Sequence, residues 1–190
     1  MALRREQLYT VEDWLNWDED FRCEIIDGEA YMMAQPTIAH QHASVGITSQ
    51  LWNFLKGKPC KVYSAPCGVR LSKTEETVFE PDIIIVCDKE KLSSGKICNG
   101  APDMIVEILS PSTSSKDKVL KFNKYQSAGV REYWIVDPVD NTVQVNVLQN
   151  GRYAGYPYDG TSTVTVSIFE GCEIDLKDVF LEENNENKED

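Results

Sequence analysis

Two acids stand where strand-forming sequence would bury them. Asp82 follows Pro81 inside an extended run predicted from Val78 to Cys87, and Glu107 lies 25 positions later, near the C-terminal end of a second run predicted from Asp103 to Leu109. Neither run alternates much, so the second half of each is expected to be buried on both faces. An ionised carboxylate in such a place is costly unless it is paired or holds a metal, and the neighbouring sequence offers few basic partners. Oxygen-only ligation by carboxylates, a main-chain carbonyl and water is what Mg²⁺ prefers. The same acids could sit at strand ends in water, and residue types alone leave both readings open.

A second Pro-Asp pair, Pro102-Asp103, competes for the same role. Asp103 precedes Glu107 by four residues on one strand, a separation of about 13 Å that one ion cannot bridge. Asp82 belongs to another strand, and neighbouring strands lie only about 4.8 Å apart, so it can stand beside Glu107. With two anions brought together, neutralising either acid in the metal-free protein is expected to leave stability unchanged or raised.

After Glu107 the sequence predicts a helix from about Lys116 to Ala128, closed by Gly129. Asp117, Lys121 and Tyr125 follow one another at four-residue spacing and share a face. Between Ser110 and Arg131 stand five basic residues (Lys116, Lys118, Lys121, Lys124 and Arg131) against one acid, a local balance of +4 that reads as the chain's only strongly basic stretch. A solvated helix face with an Asp117–Lys121 pair is the plainer account.

The remaining elements must position these groups. Thr10 caps a helix from Val11 to Trp17, and Cys23–Ile26 and Glu29–Met33 form a hairpin through Asp27-Gly28. Ile47, Leu51, Phe54 and Leu55 line one face of a helix predicted from Thr37 to about Lys56, which Gly57 and Pro59 end. An extended piece follows from Lys61 to about Leu71, irregular near Pro66 and Gly68. Beyond the second helix come a strand at Glu132–Val136, a pair around Asn150-Gly151, and an alternating strand at Val164, Val166 and Ile168 that completes the sheet. The order predicts a mixed α/β (α+β) domain: a central mixed sheet flanked by helices, an N-terminal hairpin and a β-rich C-terminal extension. One domain is expected over 1–181, with an acidic disordered tail over 182–190.

The 190 residues, 42% hydrophobic and 26% charged, suit one globular unit and exclude a collagen, a coiled-coil rod or a disordered regulator. A net charge of −12 opposes nonspecific adhesion to nucleic acid or anionic membrane, so a nucleic-acid role must rest on a local site. Apolar runs such as Ile83–Cys87 are far too short to span a bilayer, and the two arginines near the start have no apolar stretch behind them, so a cytoplasmic protein without a membrane partner is expected. Six cysteines form no C-x-x-C pair and are read as small buried hydrophobes in preference to zinc ligands or disulfides.

Several separated motifs carry a resemblance. Gly100-Ala-Pro-Asp-Met-Ile-Val-Glu-Ile-Leu-Ser-Pro-Ser-Thr, then Asp117-x-x-x-Lys121-x-x-x-Tyr125, then Gly129-Val-Arg-Glu-Tyr-Trp-Ile-Val-Asp-Pro138 resemble the Uma-two (Uma2) family of restriction-endonuclease-like domains. The likeness extends back through Glu24-Ile-Ile-Asp-Gly-Glu29, Met-Met-Ala-Gln-Pro, His40-Gln41 and Glu80-Pro81-Asp82, and so covers roughly residues 9 to 156. That family is similar to the PD-(D/E)XK nucleases, whose core of helix, three strands, helix and strand matches the order read over residues 37 to 137.

By this resemblance Asp82 is the acid of the Pro-Asp element and Glu107 the acid of Glu-x-Lys, but Leu109 stands where the superfamily has its lysine. The resemblance implies Lys121 of the following helix as the substitute, with Lys124 as the fallback. Glu24 and His40 match recurrent family positions; each is equally readable as a strand-edge acid and a helix-cap histidine. The implied activity is hydrolysis of phosphodiesters in DNA with Mg²⁺, or Mn²⁺ as substitute, held by Asp82, Glu107 and the carbonyl of Ile108. A homodimer is expected from family analogy and the β-rich C-terminal extension. Two other readings stay open: a noncatalytic domain using Tyr153, Tyr156 and Tyr158 for protein partners, and a metal-dependent hydrolase of a smaller phosphate ester.

Overall fold

Local chemistry starts most elements. The structure, a computed structural model, describes residues 8–18, 22–74, 76–110 and 117–181. Thr10 and Asp13 close a reciprocal capping box on α1 (Val11–Leu15). Asp27 and Gly28, with φ of 51° and 83°, turn β1 (Cys23–Ile26) into β2 (Glu29–Met32). Thr37 accepts the His40 N–H and begins α2 (Ile38–Leu55), whose Ala43, Ile47, Leu51 and Leu55 face the core. Phe54 packs at the edge of that stripe, half-buried.

The central sheet has six strands in the order β10-β9-β8-β7-β5-β3: β3 (Lys61–Ser64), β5 (Ile83–Val86), β7 (Met104–Ile108), β8 (Glu132–Asp137), β9 (Thr142–Gln149) and β10 (Arg152–Asp159). Here β7 and β8 run parallel and every other neighbouring pair antiparallel. A parallel pair needs a long crossover. The connection from β7 to β8 carries a π-helical turn (Asp117–Lys121) running into α3 (Phe122–Ala128), which Gly129 closes at φ 83°. Along β7, Met104, Val106 and Ile108 join the core beneath α2, while Ile105 and Leu109 join the core containing Tyr125 of α3. The fold is therefore the expected mixed α+β type, with helices on both faces of a mixed sheet.

Several boundaries differ from the sequence reading, each for a local reason. The run from Val78 to Cys87 is broken: Val78 and Phe79 bridge to Ile25 and Val69, and Asp82 sits one residue before β5 begins. Pro81 has no N–H to give to a ladder, and the Glu80 N–H goes to a side chain, Glu24 Oε1. The piece from Lys61 to Leu71 likewise splits into β3 and β4 (Gly68–Arg70), and β4 pairs outside the main sheet with β6 (Ile97–Asn99), a strand too short to carry a periodic signal. Val164 does not complete the central sheet. It lies in β11 (Thr163–Thr165), which pairs with β12 (Glu173–Asp175) and packs with Val166, Cys172 and Leu176 into the core beneath α2.

The cysteines are not all unpaired. Cys60 and Cys87 form a disulfide, because they stand one step beyond the Lys61–Val86 pair that ends the β3–β5 ladder; Cys23, Cys67, Cys98 and Cys172 are free thiols. The acidic segment 182–190 and Lys116 lie outside the described residues. Among the described residues no helix is long and apolar enough to cross a membrane.

Candidate active site

β1, α2, β7, the π-helical turn and the segment just before β5 meet at a cavity of about 780 Å³ whose lining includes Glu24, His40, Asp82, Glu107, Ile108 and Lys121. The topology explains the convergence. β5 is antiparallel to β7 with Ile83 opposite Val106, so Asp82 lies just past the last rung, level with the C-terminal end of β7. Its Oδ2 accepts the Ile108 N–H at 2.7 Å, replacing the main-chain partner that β5 no longer provides. Its Oδ1 lies 3.2 Å from Nε2 of His40, in the first turn of α2. The other ring nitrogen, His40 Nδ1, is buried and has no hydrogen-bond partner among the described residues.

Glu107 is buried at 3% exposure and engages the helix opposite. Its Oε1 accepts Lys121 Nζ at 2.8 Å and the Tyr125 hydroxyl at 2.6 Å. Lys121 and Tyr125 are four residues apart and share a face, as their spacing predicts. The ammonium also lies 2.9 Å from Glu24 Oε1, which in turn accepts the Glu80 N–H at 2.9 Å. A lysine at 3% exposure therefore bridges two buried carboxylates, one from β1 and one from β7, with the Phe79 ring 5.9 Å from its nitrogen. The side chain of Asp117, third member of the spacing pattern, lies outside the described residues.

The surroundings set the protonation states. Burial, then the charges of Glu107 and Glu24, push the Tyr125 phenol well above its usual range, so it remains an O–H donor. Burial raises Glu80 from its ordinary 4.5; the Arg22 guanidinium opposes the shift, while Glu24 and Asp82 add to it. Arg22 and Glu80 form an ion pair that the sequence reading missed, although Glu80 lies in the Glu80-Pro81-Asp82 motif.

The competing residues go elsewhere. Asp103 accepts the Cys87 N–H and pairs with Arg131 at 3.3 Å, and Lys124 pairs with Asp27 at 2.7 Å. Lys121, Lys124 and Arg131, three of the five cations between Ser110 and Arg131, are thus matched to carboxylates of the chain, while Lys116 and the side chain of Lys118 lie outside the described residues. The aromatic surface of the noncatalytic reading is also mostly absent. Tyr153 packs on Phe122 and Tyr133 and donates to the Val130 carbonyl, Tyr158 packs against the core, and of the three only Tyr156 is exposed.

Among the described residues no three His, Cys, Asp or Glu side chains form a metal-ligand cluster. Asp82 and Glu107 still supply two hard-oxygen donors to one cavity, and Mg²⁺ is commonly held by one or two carboxylates while keeping several waters. By donor type the pair suits such an ion, while Asp82 Oδ1 and Oδ2 and Glu107 Oε1 already have partners within the chain.

The sequence model of the family described as "Uma2: Putative restriction endonuclease" matches residues 9–177. Two curated relatives come from Synechocystis sp. (strain ATCC 27184 / PCC 6803 / Kazusa). "Uncharacterized protein slr1290" is 30% identical over 116 residues, which is 60% of this chain and 60% of that protein. "Uncharacterized protein sll1609" is 21% identical over 141 residues, 72% of this chain and 79% of that protein. The match to slr1290 thus spans under two thirds of that relative's length. Among solved structures, a putative nuclease belonging to DUF820 from Anabaena variabilis ATCC 29413 superposes with a TM-score of 0.72 at 21% identity, covering 90% of this chain and 96% of that one. At that identity the superposition establishes the shared fold.

Proposed function

The chain belongs to the Uma2 family, and on that premise we propose that it is a Mg²⁺-dependent endonuclease that hydrolyses phosphodiester bonds in DNA. One observation carries the reading: a buried lysine from the helix after β7 bridges Glu107 and Glu24 in the cavity that Asp82 also lines. Asp82, Glu107 and the carbonyl of Ile108 would hold the ion, which when bound polarises the scissile phosphate and lowers the pKa of its water. Lys121 orients the attacking water or offsets negative charge developing on the phosphate. Glu24 holds that ammonium in place. His40 fixes Asp82 through Nε2, and the Ile108 N–H fixes it from the other side. We further propose that the protein works in the cytoplasm as a homodimer.

The test is Mg²⁺-dependent nicking of plasmid and of branched DNA. The wild type nicks and Asp82→Asn does not; absence of cleavage by the wild type with either Mg²⁺ or Mn²⁺ overturns the proposal. A second reading, hydrolysis of a smaller phosphate ester, is favoured by the net charge of −12 and by the pairing of the cavity's Arg22 and Lys121 with carboxylates. Turnover of bis(p-nitrophenyl) phosphate without nicking of DNA would select it.

A further inference from the structure

One wall of the site cavity is drawn from a segment without acidic residues. It is built by α2 through Val45, Thr48 and Trp52, by β2 through Met32, and by the edge strand β3 through Tyr63. From Ala30 to Thr74 the sequence contains no Asp or Glu, so all 31 acids lie outside this segment, which carries Lys56, Lys58, Lys61, Arg70, Lys73 and both histidines. In a chain of net charge −12, an acid-free stretch opposes a polyanion least, and its five cations flank the cavity in sequence without lining it.

The same wall exposes large apolar side chains. Trp52 is 58% exposed, Val45 66%, Ile38 82%, Met32 46% and Tyr63 37%. Ile38, Val45 and Trp52 recur at seven-residue intervals, along one face of α2 turned away from the buried stripe. Duplex DNA is bound chiefly through its phosphates, by spread lysines and arginines. Unpaired strands are bound by aromatic side chains on which bases stack, together with backbone-tracking charge. Exposed Trp52 and Tyr63, within one cavity with Asp82 and Glu107, with Lys56 four residues beyond Trp52 and Lys61 two residues before Tyr63 in sequence, match the second pattern.

We infer that this wall is a base-stacking platform, and that the substrate is an unpaired nucleic-acid strand whose scissile phosphate lies at the Asp82–Glu107 end; the inference rests on the nuclease reading above. Spacing supports it. Tyr63 is two residues before Ala65, whose N–H donates to the Asp82 carbonyl, and so lies about 7 Å along the strand from that point. Trp52 is twelve residues beyond His40, the partner of Asp82, or about 18 Å along α2. The two rings would take bases at increasing distance from the cleaved phosphate.

Binding tests this separately from cleavage. Fluorescein-labelled oligothymidylate and a duplex of equal length are titrated with the full chain in EDTA, where no metal-dependent cleavage proceeds. The single strand should bind more tightly than the duplex, and Trp52→Ala should weaken it by about five- to one-hundred-fold, the range for loss of one base–aromatic stack. Trp52→Phe should retain most of the affinity, and Trp52→Ala should melt like the wild type because the ring is exposed. Duplex binding at least as tight as the single strand overturns the inference, as does unchanged affinity in Trp52→Ala. If Trp52→Ala instead halves the mass by light scattering while oligonucleotide affinity holds, the wall is a self-association surface and the inference fails. Cleavage without stacking-dependent binding leaves the nuclease reading standing alone; stacking-dependent binding without cleavage in Mg²⁺ or Mn²⁺ overturns that reading instead.

Discussion

The ammonium of Lys121 lies 2.8 Å from Glu107 Oε1, although 14 residues and a change from strand to helix separate the two in sequence. Leu109, two residues beyond Glu107 on the same strand face, is buried in the apolar core with Tyr125. Lys121 thus reaches this strand carboxylate from the helix layer, while the strand position two residues on is apolar.

Removing that ammonium should be costly. Lys121→Met leaves Glu24 and Glu107 buried without their shared cation, and breaking such a pair typically destabilises by about 3–5 kcal/mol. Urea unfolding at neutral pH should show this loss, with partial recovery on adding Glu24→Gln. The structure also reverses one expectation. Glu107→Gln should destabilise, because it removes a charge partner from buried Lys121, whereas Asp82→Asn keeps an oxygen able to accept the Ile108 N–H and should change stability little. Equal stability of Lys121→Met and wild type would contradict the buried bridge.

Metal should stabilise the folded chain through the same carboxylates. A ligand that binds only the native state at one hundred times its Kd adds about 2.7 kcal/mol. Mn²⁺ should therefore raise the Tm of the wild type and leave Asp82→Asn unmoved; equal shifts in both would remove Asp82 from the ligand set.

The free thiols define an alkaline limit. Burial, the leading cause in each case, raises Cys23 and Cys98 from 9.0 to about 12 and Cys172 from 9.0 to about 11. Because the folded values lie above the unfolded one, the stability these thiols contribute is complete below pH 9. It is lost as pH rises through the interval from 9 to about 11 or 12. The urea midpoint should fall between pH 9 and 11, and replacing the three residues with alanine should flatten that fall. An unaltered slope in the triple variant would contradict the assignment.

Cys60 and Cys87 are 27 residues apart, and a cross-link closing a loop of that size restricts the unfolded chain by about 3–4 kcal/mol. Dithiothreitol should lower the urea midpoint of the wild type and leave Cys60→Ala unaffected. A reductant-insensitive wild type would show that the bridge contributes nothing.

Much of this architecture was legible in residue patterns. The Asp27-Gly28 turn, the Thr10 and Thr37 caps, the buried stripe of α2 and the Gly129 stop are local signals, and the structure follows them. The four-residue spacing of Lys121 and Tyr125 placed both on one face, and both reach Glu107. Long-range pairings were not legible. Nothing near Cys60 names Cys87; only the β3–β5 register makes them neighbours. The break at Glu80–Asp82 depends on Glu24 capturing the Glu80 N–H from 56 residues away. The Ser110–Arg131 stretch hid its pairings because net charge does not show which carboxylates, Asp27 and Asp103 among them, fold back to meet it.

Whether the helix-borne lysine serves the site is measured most directly by Mg²⁺-dependent plasmid nicking with lysine variants whose folding and Mn²⁺ binding are checked in parallel. Lys121→Ala should lose cleavage while retaining the Mn²⁺-induced rise in Tm. Adding Leu109→Lys, on the strand face that carries Glu107, should restore part of the activity, and Lys124→Ala, whose ammonium pairs with Asp27 and not with Glu107, should cleave nearly as the wild type does. Cleavage by Lys121→Ala at the wild-type rate, or loss of cleavage in Lys124→Ala alone, would contradict the assignment.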